Sequence, residues 1–165
     1  MLIDGIASFN ALPSQEAETR LYACFAHRAW AARVAAGRPY DNLAELMVAT
    51  ESAWSQLTTD DWLVAFTAHP RIGEKGGHAP ATSKREQRQV AQGSVVTLEA
   101  IAAENREYEK RFGHVFLIAA HGRTADEILS ELRRRMTNDA ATELQVAAGE
   151  QRKITRLRLE RFLKE

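Results

Sequence analysis

The stretch 42-NLAELMVATESAWSQL-57 decides the fold class. Leu43, Leu46, Met47, Ala53, Trp54 and Leu57 line one side of a helix of 3.6 residues per turn. Asn42 and Glu45 stand in capping-box register at its start, where an orphan backbone N–H needs an acceptor. An amphipathic helix with a defined beginning is predicted.

The same pattern extends in both directions. Before it, Ser14 follows Pro13, and Leu21, Cys24, Phe25 and Trp30 recur at near-helical spacing until Gly37 and Pro39 end the pattern. One bent helix fits there. After it, Thr58 and Asp61 repeat the capping arrangement, and Trp62, Leu63 and Phe66 form the buried face of a short helix ending at His69 and Pro70. Residues 71–81, with Gly73, Gly76, Gly77 and Pro80, read as a loop. It is the longest irregular segment, and such loops in compact domains are often functional. A short helix from about Ser83 breaks near Gly93. A longer one runs over 97–112 and ends on Gly113 as a left-handed cap. Residues 115–120 form an apolar run too short to classify by periodicity and are read as a buried segment joining helices. Thr124 and Glu127 open a helix carrying Ile128, Leu129, Leu132 and Met136, and a long helix over 139–162 follows. The expectation is an all-α fold, a single multi-helix domain over 1–165, without repeats or low-complexity segments.

Composition agrees with that picture. A length of 165 residues suits one core. With 45% hydrophobic and 27% charged residues the chain falls among soluble globular proteins. Lys plus Arg and Asp plus Glu both number 22, so no net charge draws the chain to nucleic acid or anionic lipid, and 133-RRR-135 is the main candidate for a local basic patch. Cys24 is the one cysteine and sits in an alanine-rich helical pattern, which suits a buried thiol in a reducing cytoplasm. No apolar run approaches the roughly eighteen residues a bilayer span requires, and no secretion signal opens the chain. The expected location is the cytoplasm.

Phosphate-binding glycine loops, paired-cysteine zinc patterns, HExxH and G-x-S-x-G are all absent. Three clusters remain. In 66-FTAHPRIGEK-75, Pro70 restricts the backbone of His69 at an element boundary. An imidazole with an ordinary pKa of about 6.5 exchanges protons near neutrality. A helix-terminal histidine bonded to the last carbonyls is the structural alternative. In 83-SKREQ-87, Ser83 and Glu86 are spaced to cap a helix reciprocally, while Gln87 beside a carboxylate offers donors and acceptors suited to a urea or imide. In 153-KITRLRLERF-162, Arg158 lies four residues from both Ile154 and Phe162 and so falls in an apolar stripe. A guanidinium there needs a carboxylate, from the protein or from a substrate. For metal, His69 with His78 or His114 with His121 lack a carboxylate or cysteine at a recurring ligand spacing, so no metal site is expected.

Taken in order, 69-HPRIGEK-75, 83-SKREQ-87, 108-YEKRFGHVFLIAAHGRTADEIL-129 and 138-NDAATELQVAAGEQRKITRLRL-159 resemble the OHCU decarboxylase family, OHCU being 2-oxo-4-hydroxy-4-carboxy-5-ureidoimidazoline. The similarity extends from 8-SFNALP-13 onward. It implies an all-helical enzyme that converts this small molecule to (S)-allantoin and carbon dioxide without a cofactor, as a homodimer. By the same resemblance His69 is the catalytic histidine and Pro70 lines the pocket beside it. Ser83, Lys84, Arg85, Glu86 and Gln87 form one substrate-binding segment, with Glu86 and Gln87 its polar contacts. Phe116, Leu117, Ile118, Ala119 and Ala120 form another, and Arg158 is the arginine of the last helix. Two other readings stay open: a different acid–base reaction on a ureide or hydantoin, and a non-catalytic helical binding module in which His69, Glu86 and Arg158 satisfy one another.

Overall fold

A computed structural model describes residues 2–72 and 81–164, with side chains described for 5–72 and 84–164. Among the described residues there are ten helices and no strand: α1 (Leu2–Ala11), α2 (Ser14–Cys24), α3 (Arg28–Ala36), α4 (Leu43–Ser55), α5 (Thr59–Phe66), α6 (Ala81–Glu86), α7 (Arg88–Ala91), α8 (Val95–Phe112), α9 (Ala125–Arg135) and α10 (Ala140–Lys164). The all-α expectation holds. None of these helices is long and apolar enough to cross a membrane. Contacts gather into two compact units, residues 1–65 with 153–165 and residues 66–152.

In the first unit, α4 begins as its sequence predicts, with the Asn42 side chain accepting the Glu45 N–H at 2.9 Å. The single bent helix read before it is instead two. Phe25 and His27 are extended, with φ −148° and −134°, and Nδ1 of His27 accepts the Trp30 N–H at 3.2 Å, capping α3. That acceptor role leaves the ring hydrogen on Nε2, which donates to Asp61 Oδ1 at 3.0 Å. Asp61 also completes the reciprocal cap of α5: its N–H donates to Thr58 Oγ1 at 3.2 Å, and its Oδ2 accepts the Thr58 N–H at 2.8 Å.

The core of this unit holds Ile6, Phe9, Leu21, Phe25, Trp30, Leu46, Leu159 and Leu163, all buried. Each such side chain contributes about 1.5–3 kcal/mol. Cys24 is buried among them. Gly5 lets α1 approach the end of α10, since a Cβ there would run into the Leu163 carbonyl. Arg38 donates to the carbonyls of Phe9 at 2.8 Å and Leu12 at 2.7 Å, adding to the Leu12 N–H that the Phe9 carbonyl already accepts at the end of α1.

In the second unit, α8 is capped by Ser94, whose Oγ accepts the Thr97 N–H at 3.2 Å, and ends on Gly113 in the left-handed region at φ 80°. That ending matches the sequence reading. The Thr124 and Glu127 capping box opens α9 as expected. Val90, Ile101, Tyr108, Phe116, Ile118, Ile128 and Leu132 form the buried cluster. Of the loop read over 71–81, residues 73–80, with Gly73, Gly76, Gly77, His78 and Pro80, lie outside the described residues.

Candidate active site

His69 follows the last turn of α5, where its N–H donates to the Phe66 carbonyl at 3.1 Å. The chain on either side of it is pinned. Phe66 is buried, with the ring of His114 edge-on at 5.8 Å. Arg71 forks onto Glu109 of α8 at 2.7 and 3.2 Å. The Ile72 carbonyl accepts from the buried Asn105 side chain at 3.1 Å. With Pro70 restricting its backbone, the half-buried imidazole of His69 has little freedom to wander. Its Nε2 lies 2.5 Å from Oε1 of Gln151 on α10.

The apolar run 115–120 is not helical, and Phe116, Leu117, Ile118 and Ala120 are buried. Such backbone needs partners, because an unpaired buried carbonyl or N–H costs free energy. The Leu117 carbonyl accepts Nη1 of Arg135 at 2.8 Å, and the same guanidinium lies over the Phe116 ring at 4.5 Å. The Ala119 N–H donates to Glu150 Oε1 at 3.2 Å, while its carbonyl accepts Nε of Arg123 at 3.2 Å. Charged side chains, of which Arg135 and Glu150 are buried, thus shape a segment without charges of its own.

Arg135 is 1% exposed and Glu143 is 0% exposed. Arg135 Nε donates to Glu143 Oε1 at 2.7 Å, and its Nη2 lies 2.6 Å from that oxygen, close enough for charge attraction though not aligned as a hydrogen bond. The Tyr108 hydroxyl donates to Oε1 at 2.6 Å and Asn138 Nδ2 to Oε2 at 3.0 Å. Burial first, and then this bond to the carboxylate, push the Tyr108 phenol far above its ordinary range, so it remains a donor.

The other candidates are placed as follows. Lys84 and Arg85 are exposed, whereas Glu86 and Gln87 are half-buried where α6 gives way to α7. α6 starts at Ala81 rather than Ser83, so Ser83 is its third residue and Glu86 its last, and the reciprocal cap read for this pair does not open the helix. The side chain of Ser83 lies outside the described ones. Arg158 is half-buried on the part of α10 belonging to the first unit, among the buried Ile154, Leu159 and Leu163. The second unit therefore brings together His69 and 116–120, both held by one turn of α10 through Gln151 and Glu150.

Sequence reasoning missed Gln151, Glu150, Arg135, Glu143 and Tyr108. A signal existed for Arg135, which follows Ile128 and Leu132 at helical spacing, as Arg158 follows Ile154. The basic patch read at 133–135 does not exist as such: Arg133 pairs with Glu104, Arg134 with Glu131, and Arg135 is buried.

Comparison with known proteins accords with the helical fold. The OHCU decarboxylase family profile matches residues 10–160. The chain is 33% identical over 142 residues to a uric acid degradation bifunctional protein of Arabidopsis thaliana, covering 82% of this chain and 44% of that one. It is 33% identical over 138 residues to the 2-oxo-4-hydroxy-4-carboxy-5-ureidoimidazoline decarboxylase of Amia calva, covering 79% and 77%. It thus spans less than half of the Arabidopsis relative and most of the Amia one. A crystal structure of an OHCU decarboxylase in the presence of (S)-allantoin superposes with a TM-score of 0.77 at 33% identity, over 87% of this chain and 96% of that one. With its helical fold, its profile match and its identity to these relatives, the chain belongs to the OHCU decarboxylase family.

Proposed function

We propose that this protein decarboxylates OHCU to (S)-allantoin and carbon dioxide, with His69 as the proton donor. The observation that carries this reading is the match, over most of both chains, to an OHCU decarboxylase crystallised in the presence of (S)-allantoin. The pinned imidazole of His69 supports it.

The substrate explains why no cofactor is required. Its carbon bearing the hydroxyl and carboxylate adjoins a C=N bond. When the carbon–carboxylate bond breaks, its electron pair forms a C=C bond to the ureido-bearing carbon, and the imine π electrons move to nitrogen, which takes a proton. Carbon dioxide leaves, and an enol remains. The enol then loses its hydroxyl proton as the ureido-bearing carbon gains one. Delivery from one face yields one enantiomer, so the acid must be held still. A positioned histidine contributes about 10²–10⁴-fold in rate.

In this reading Glu86 orients the imidazole or the substrate hydroxyl. Gln87, the neighbouring Ser83, Lys84 and Arg85, and main-chain groups of 116–120 hold the ureido and ring amides. Pro70 walls the pocket and Arg158 binds the carboxylate or a ring carbonyl. The working form is a cytoplasmic homodimer that takes a small molecule and neither nucleic acid nor membrane. Separate assays of carbon dioxide release and of ring opening test the reaction. Release that falls at least a hundredfold in a folded His69→Ala variant supports it. Ring opening without carbon dioxide assigns the site to hydrolysis of a ureide or hydantoin, and loss of melting temperature without loss of turnover removes His69 from the chemistry.

A further inference from the structure

A carboxamide oxygen accepts hydrogen bonds and never donates them. Oε1 of Gln151 lies 2.5 Å from Nε2 of His69, so that ring nitrogen carries a hydrogen and directs it at Gln151. Gln151 is 0% exposed. It sits in the interior of α10, with Ala147 one turn before it and Ile154 one turn after, both buried. A buried amide on a rigid helix is a well-placed holder for an imidazole.

We infer that Gln151 is the positioning residue of the proton donor, fixing the orientation and tautomer of His69 while adding no charge to it. This rests on the reading of His69 as the acid. The choice of a neutral partner has a chemical consequence. A general acid works best with a pKa near the working pH. A carboxylate within hydrogen-bond distance favours the imidazolium and raises its pKa by about 1–3 units, which makes the proton harder to give up. An amide orients the ring without that penalty. Of its two proposed roles Glu86 keeps here the one on the substrate hydroxyl, and the other charged and titratable groups nearby have partners of their own. Arg71 is paired with Glu109 of α8, and Glu150, next to Gln151 on α10, accepts from the Ala119 N–H. The His114 ring rests against Phe66, Tyr108 and Phe112.

The test compares Gln151→Glu and Gln151→Met with the parent and with His69→Ala. Folding is checked by far-UV circular dichroism, the His69 ring nitrogens are followed by NMR titration without substrate, and kcat and KM for OHCU are measured against pH. Gln151→Glu should raise the His69 titration, and the matching limb of the kcat profile, by about one unit or more. Gln151→Met, which keeps the volume and loses the acceptor, should alter the ratio of the two neutral ring tautomers and lower kcat at least tenfold with little change in KM. Should Gln151→Glu not fold, the tautomer ratio in Gln151→Met decides the matter. Unmoved titration and tautomer ratio in the folded variants, with His69→Ala inactive, would overturn the role given to Gln151 alone. Full turnover in His69→Ala would overturn the proton-donor reading and this inference with it.

Discussion

Replacing Glu143 with alanine should unfold the second unit far more readily than an average substitution. Its carboxylate is fully buried and accepts from Arg135 at 2.7 Å, Tyr108 at 2.6 Å and Asn138 at 3.0 Å. Removing it leaves the Arg135 guanidinium buried with the Leu117 carbonyl and the Phe116 ring but without the carboxylate it is bonded to. Breaking a buried pair from one side costs about 3–5 kcal/mol, a large part of the ~5–15 kcal/mol that holds a domain folded. At about 2–4 °C per kcal/mol for a chain of this size, the melting temperature should fall by roughly 6–20 °C. Urea and thermal unfolding measure it directly. Replacing both partners, Arg135→Met with Glu143→Leu, should recover only part of the loss: two apolar side chains owe no desolvation cost, but the Tyr108 hydroxyl and the Leu117 carbonyl lose these partners. The double variant should nevertheless lose turnover, since the Leu117 carbonyl no longer has Arg135 to hold it. A Glu143→Ala protein within about 0.5 kcal/mol of the parent would refute this view of the network.

Acid should destabilise the protein through carboxyls held low in the folded state. The Thr58 N–H, and then His27, depress Asp61, the Thr142 N–H depresses Asp139, and Arg134 depresses Glu131. With folded values below the ordinary 3.8 for Asp and 4.5 for Glu, the unfolded chain binds more protons between the two. Their contribution is complete above the unfolded values and is lost as pH falls through the folded ones. Urea midpoints should therefore drop below about pH 4.5, and Asp61→Asn should flatten that drop. Gly5→Ala should destabilise despite alanine's better helix propensity of about 1 kcal/mol, because the Leu163 carbonyl occupies the space. Gly113→Ala meets nothing within 4 Å and should cost only the left-handed backbone strain at φ 80°, about 1–2 kcal/mol. Arg158→Gln should raise KM for OHCU with little change in melting temperature, whereas the reverse pattern assigns it to packing.

The fold was legible where its signals are local. The Asn42 cap, the Thr124 and Glu127 box and the Gly113 ending all lie within four residues of the turns they specify. The break between α2 and α3 was hidden because Phe25 and Trp30 meet in the core at 5.2 Å, so the apolar rhythm continues through residues that are extended. Its cap is a histidine, not one of the residues that usually announce a helix start. α1 starts without a recognisable cap and carries Gly5, which speaks against a helix until Leu163 is seen beside it. At the site, Pro70 exposed His69 to sequence reading, and the apolar run exposed 116–120. Their supports did not show, because a hydrogen bond between His69 and Gln151 spans 82 residues and leaves no local trace.

The most direct measurement generates OHCU from urate in the cuvette with the two upstream enzymes and follows circular dichroism after this protein is added. OHCU also decays unaided, so the sign of the signal matters more than its speed. A rapid rise of the (S)-allantoin signal that disappears in folded His69→Ala is the expected result. A trace no faster than spontaneous decay and without handedness, or an unchanged (S)-allantoin signal in His69→Ala, would contradict it.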